Sequence, residues 1–252
     1  FWKAQALLGL GSWPDAAGAF SLMLNNPSAP HRSEAAFTMA NVETALGKPE
    51  SALSTLDSLT NTPDAALSAK AKLHQVEILL DLGRTEEARQ LMPPSESISR
   101  EDQSFGRYLE AHLLLKEGRF GEAASSFQTL VDEPQGQSQQ HYHAAAVGLA
   151  DALAAKGSGN AATTFLVAFI QEHPDSPLLE ALFNRLLDNL PAKPAPTDPV
   201  LERLTQWITP ADLPSTHALA ASESCAAATW RSETANASEL PAFAMFTRAM
   251  GL

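Results

Sequence analysis

Alanine stands at positions 16, 52, 88, 123 and 162, each five residues after a glycine and four before a large apolar residue. The copies run from Gly11 through Ala16 to Phe20, Gly47 through Ala52 to Leu56, Gly83 through Ala88 to Met92, Gly118 through Ala123 to Phe127, and Gly157 through Ala162 to Leu166. Successive alanines lie 36, 36, 35 and 39 residues apart. A period of this length, held over five copies, restricts the chain to architectures in which one supersecondary unit stacks on its own repeat.

Each fixed position has a physical reason. Glycine ends a helix because it enters the left-handed region without steric cost. Acidic residues just after it, as in Thr85-Glu86-Glu87, complement the dipole of the helix that follows. Alanine lets two antiparallel helices approach closely, and the apolar residue one turn on packs between them. Pro27, Pro63, Pro134 and Pro174 then close units, since proline lacks the N–H that would continue a helix. The unit is a helical hairpin and the predicted fold is all-α.

The segments Leu82-Gly83-Arg84-Thr85-Glu86-Glu87-Ala88 and Glu117-Gly118-Arg119-Phe120-Gly121-Glu122-Ala123 resemble the tetratricopeptide repeat family. The resemblance covers about residues 1–190. It implies a right-handed superhelical solenoid of antiparallel hairpins that serves as a non-catalytic scaffold or adaptor for a protein or peptide. Two units depart from the pattern and are expected to be irregular: Pro93-Pro94 shortens the second helix of the third, and Gly157-Ser-Gly-Asn occupies the turn of the fifth. The stretch Phe169-Ile-Gln-Glu-His-Pro-Asp-Ser-Pro-Leu-Leu-Glu-Ala-Leu182 is similar to inter-repeat stretches of bacterial cell-envelope members. That likeness implies a periplasmic or envelope location, with the cytoplasm as the alternative.

In such stacks the first helix of each unit lines the inner surface. Six residues before each glycine stand Gln5, Asn41, Glu77, His112 and Asp151, a row that is polar in every copy. One helical turn earlier stand Phe1, Phe37, Leu73, Tyr108 and Val147, a row of apolar and aromatic side chains. The family resemblance implies partner contacts on both rows, whereas the simplest structural role for the apolar row is packing between hairpins. A groove of this kind suits an extended or helical peptide. Glu77, Asp151 and a formal net charge of -12 favour a basic one.

The same charge repels phosphate backbones, which argues against nucleic acid. The longest apolar runs, such as Phe165–Ile170, are far shorter than the roughly 20 residues of a membrane-spanning helix. The single cysteine, Cys225, has no partner for a disulfide or a metal knuckle and no neighbouring histidine to activate it. His141 and His143 would diverge on a helix, so they read as a polar helix start, not as metal ligands. No phosphate loop, nucleophile elbow or dinucleotide fingerprint is present, and no catalytic residue, metal or cofactor is expected. After a helix expected over 178–190, four prolines in residues 191–199 read as a linker. Residues 200–252 read as further helices, either degenerate repeats or a cap. The opening Phe1-Trp2 without methionine suggests an excised fragment, leaving a helical arm of a larger envelope enzyme or of a secretion or assembly machine as the alternative function.

Overall fold

The computed structural model describes residues 1–26, 28–135 and 137–189. Pro27, the proline-rich stretch 191–199 and the segment 200–252 with Cys225 lie outside the described residues. The described residues carry eleven α-helices and no strand, and the chain divides into two compact units, Phe1–Glu117 and Gly118 onward.

The first unit contains α1 (Trp2–Gly9), α2 (Trp13–Leu24), α3 (Arg32–Ala45), α4 (Pro49–Thr60), α5 (Ala65–Asp81), α6 (Thr85–Leu91) and α7 (Gln103–Lys116). Each helix from α1 to α6 packs on the next, and α5 also packs on α7. The second unit contains α8 (Phe120–Asp132), α9 (Gln139–Ala155), α10 (Gly159–Glu172) and α11 (Leu179–Asp188), with α9 in contact with all three others. None of the described helices is long and apolar enough to cross a membrane.

The repeat signature maps onto the turns and the helix contacts. Gly11, Gly47, Gly83, Gly118 and Gly157 all have φ between 71° and 84°, where a Cβ would clash with its own backbone. In the third repeat the Gly83 N–H donates to the Leu80 carbonyl and the Arg84 N–H to the Leu79 carbonyl, at 3.0 and 2.8 Å. These two bonds satisfy carbonyls that the end of α5 would otherwise leave open. Arg84 is at the same time the N-cap of α6, so a turn of only three residues reverses the chain. The same bond pair follows α1, α3 and α9.

Ala16, Ala52, Ala88, Ala123 and Ala162 have no exposed surface, and neither have Phe20, Leu56, Phe127 and Leu166 one turn on. Met92, the member of that series in the third repeat, is only partly buried because α6 stops at Leu91 and Met92 leads straight into Pro93-Pro94. The third unit is therefore shortened as its prolines predict. What replaces the missing turns is a short 3-10 turn, Ser95–Ser97, after which Ile98 enters the core beside Leu73, Phe105 and Leu109. Gly106 makes room for it: a Cβ there would lie 2.9 Å from Ile98 Cδ1.

The fifth unit, expected to be irregular, is not. Its turn keeps the two backbone bonds, with Gly157 N–H to Ala154 O and Ser158 N–H to Leu153 O both 2.9 Å. Helix α10 then runs for 14 residues. Gly159 falls at its first position, where the N–H needs no intrahelical partner and the entropic penalty of a mid-helix glycine is avoided.

In the second unit a glycine deep inside a helix marks a close contact. Gly148 of α9 faces the Phe127 ring of α8 so closely that a Cβ would lie 2.5 Å from Cζ. Beyond this contact the second unit is built on Ala146, Ala150, Leu166, Phe169, Ile170, Leu182, Phe183 and Leu186.

Candidate partner-binding face

In the first unit the first helices of successive hairpins are α1, α3, α5 and α7. Of the polar row they carry, Asn41 is exposed, and Gln5, Glu77 and His112 are partly exposed. Phe1, Phe37 and Tyr108 of the apolar row are half-buried, each keeping some surface.

Leu73 differs. It has no exposed surface and its Cδ2 reaches towards Gly106 of α7, so it is a core residue that a partner cannot touch without unfolding the unit. Its neighbour His74 takes the surface place instead. The His74 ring lies between Phe37 of α3, with centroids 5.1 Å apart, and Phe105 of α7, at 5.2 Å. Tyr108 and His112 continue the aromatic line along α7 with centroids 4.8 Å apart. Lys70 closes its other side, its Nζ 5.6 Å from the centre of the Phe37 ring and 3.6 Å from an Asp102 carboxylate oxygen.

His74 and Phe105 were missed because a fixed count from the glycine assigns one face only. One residue along an α-helix turns the side chain by about 100°. Phe105 lies three residues before Tyr108, on the adjoining edge of the same helix, and a search for aromatic residues three or four apart would have found it.

The electrostatics of this face come from α5. Glu77 and Asp81 are one turn apart on it, and Glu77 Oε2 lies 3.6 Å from His74 Nδ1. Burial, reinforced by the Glu77 charge and opposed by Lys116, pushes the Asp81 carboxyl above its ordinary range. Burial likewise raises the Tyr108 hydroxyl, helped by Glu77 and Asp81. Two carboxylates thus stand beside half-buried rings. That arrangement accepts hydrogen bonds and favours positive charge over negative.

Buried Gln75 supports the helix from behind, its Nε2 donating to the Leu53 carbonyl at 3.0 Å and to Asp57 at 2.7 Å. In the second unit the polar position is occupied within the chain. Asp151 accepts a bond from Arg185 Nε of α11, which raises the guanidinium's affinity for its proton. Arg185 follows Asp151 by 34 residues, so it continues the same row, a repeat interval that the sequence contains. Val147 is half-buried against the core.

His143 is no exposed helix start: it is buried and its Nδ1 is 3.0 Å from the Ser176 hydroxyl, whereas His141 keeps some surface. Among the described residues there is no group of three or more His, Cys, Asp or Glu side chains placed to hold a metal. Glu86 and Glu87 lie in the first turn of α6 as expected, and Arg84 holds the Glu87 carboxyl below its ordinary range.

Residues 108–177 match the family model of the tetratricopeptide repeat, so that stretch is similar to the repeats of this family. Repeats of this family generally act as non-catalytic modules for protein–protein interaction. Searches of curated proteins and of solved structures match nothing to the chain.

Proposed function

We propose that this chain is a non-catalytic scaffold or adaptor, and that the face formed by α3, α5 and α7 in the first unit is the seat of a protein or peptide partner. The observation that carries this reading is the line of half-buried rings Phe37, His74 and Tyr108, backed by the buried Phe105 and flanked by Asn41, Glu77 and His112. Rings of this kind give contact area at low entropic cost, and the polar groups beside them fix orientation. Glu77 and Asp81 support a basic segment as the ligand, as does the net charge of -12. Asp151 in the second unit is already paired with Arg185 and contributes less.

The likeness of residues 169–182 to envelope members supports a periplasmic or envelope location for the complex. Exporting the chain as a fusion to a reporter active only outside the cytoplasm tests that separately.

Asn41, Glu77 and His112 replaced together by alanine are expected to weaken the partner's binding about 100-fold, if each anchor contributes a little over 1 kcal/mol. Helical content measured by circular dichroism should stay close to that of the parent chain, because none of the three side chains is buried. Unchanged affinity would remove the face assignment.

A further inference from the structure

The corner between α10 and α11 contains a buried polar cluster that partner binding does not use. Ser176, itself buried, accepts the Leu178 N–H at 3.2 Å and lies 3.0 Å from His143 Nδ1. A hydroxyl that accepts from a backbone N–H still has its own hydrogen to give, which allows Ser176 to donate to Nδ1 of a neutral His143. Next to it, His173 Nε2 is 3.2 Å from the Tyr142 hydroxyl. The His143 and His173 rings are 5.3 Å apart, and Phe169 covers His173 at 4.4 Å.

This cluster sits where α11 is attached. Residues 173–178 lead directly into α11, and Ser176 orders the turn by bonding both the Leu178 N–H and a side chain of α9. Helix α11 has only ten residues, too few to persist in water without packing. It is held by Leu182, Phe183 and Leu186 and by the Arg185–Asp151 pair. A short helix held in this way opens at lower cost than the body of the unit.

We propose that His143, Ser176, His173 and Tyr142 form an acid-sensitive latch that keeps α11 seated at neutral pH and releases it under mild acid. A proton on His143 Nδ1 would turn an acceptor into a donor. The Ser176 oxygen would then face two N–H groups while its own hydrogen lost its acceptor, in a site closed to water.

The surrounding groups set the direction. Burial holds the His143 imidazole below its ordinary 6.5, a charge on His173 adds to this, and Asp175 opposes it. His141 and Tyr142 flank it on α9, while Glu172 at the end of α10 and Asp132 at the end of α8 act on the Tyr142 hydroxyl. The seated form therefore refuses a proton that the released form takes at the ordinary value. Above about pH 6.5 neither form carries the proton and seating is insensitive to pH. Below it the released fraction grows by up to about tenfold per pH unit, until the pH reaches the lowered value of the seated form.

Hydrogen exchange on the whole chain, read by mass spectrometry and corrected for intrinsic rates, tests the latch. Between pH 7.5 and pH 5.0 the amides of 180–188 should lose protection about tenfold, while those of 145–150 in α9 keep theirs. His143→Gln combined with His173→Gln should flatten the dependence, and Asp151→Asn should leave it in place. Protection of α11 that is equal at both pH values overturns the latch, and so does a dependence that survives the double substitution. A dependence lost in Asp151→Asn assigns the switch to the ion pair and also overturns it. Should the double variant fail to fold, the imidazole resonances of the unaltered chain decide: a His143 midpoint at or above the ordinary value refutes the proposal.

Discussion

Phe127→Ala is expected to destabilise the second unit by about 3–5 kcal/mol, the range for removing a fully buried phenylalanine ring. Phe127 has no exposed surface, and it is the large apolar residue of the fourth repeat. Its contact with Gly148 supplies a sharper test. Gly148→Ala alone should destabilise despite alanine's better helix propensity, because the new Cβ would begin 2.5 Å from the ring. In the Phe127→Ala background the same substitution should stabilise, by roughly 0.5–1 kcal/mol, since the obstructing ring is gone and only the propensity gain remains. Chemical denaturation of the four chains, followed by circular dichroism, reads the reversal of sign. Additive effects would mean that the two residues do not touch.

Leu73→Ala is expected to cost about 2–5 kcal/mol, again as a cavity in a closed core. His74→Ala, one residue on, should cost about 1 kcal/mol or less, because its ring, set between Phe37 and Phe105, stays partly exposed. Binding should show the opposite order. At temperatures where both chains are folded, His74→Ala weakens the partner and Leu73→Ala leaves its affinity nearly unchanged. Denaturation midpoints and titration of the captured partner together make this comparison.

The contrast between these neighbours shows what the sequence could and could not convey. The turns were legible because Gly47 or Gly83 answers a purely local requirement, a positive φ at the end of a helix. The buried alanines were legible for a related reason: their spacing repeats the one contact every hairpin must make. The face of α5 was not. Phe37 and Leu73 occupy equivalent positions in the repeat, yet the phenylalanine reaches the surface and the shorter leucine ends against Gly106.

Contacts that belong to one repeat alone were also hidden. Prolines 93 and 94 announce the end of α6, but nothing in the period says that Ile98 will fill the space left beside Gly106. His143 pairs with Ser176 across 33 residues, and only folding brings the two together. Of the proposed face, the polar row Asn41, Glu77 and His112 was legible from the period, whereas the placing of His74 against Phe37 and Phe105 emerged from how α3, α5 and α7 pack.

The most direct test of the partner-binding face is oxidative footprinting of the chain with and without its captured partner. Binding on this face predicts protection of Phe37, His74 and Tyr108, with the outward Leu22 and Trp13 of α2 unchanged. Protection confined to α2, α4 and α6, with those three rings as reactive as in the free chain, would contradict it.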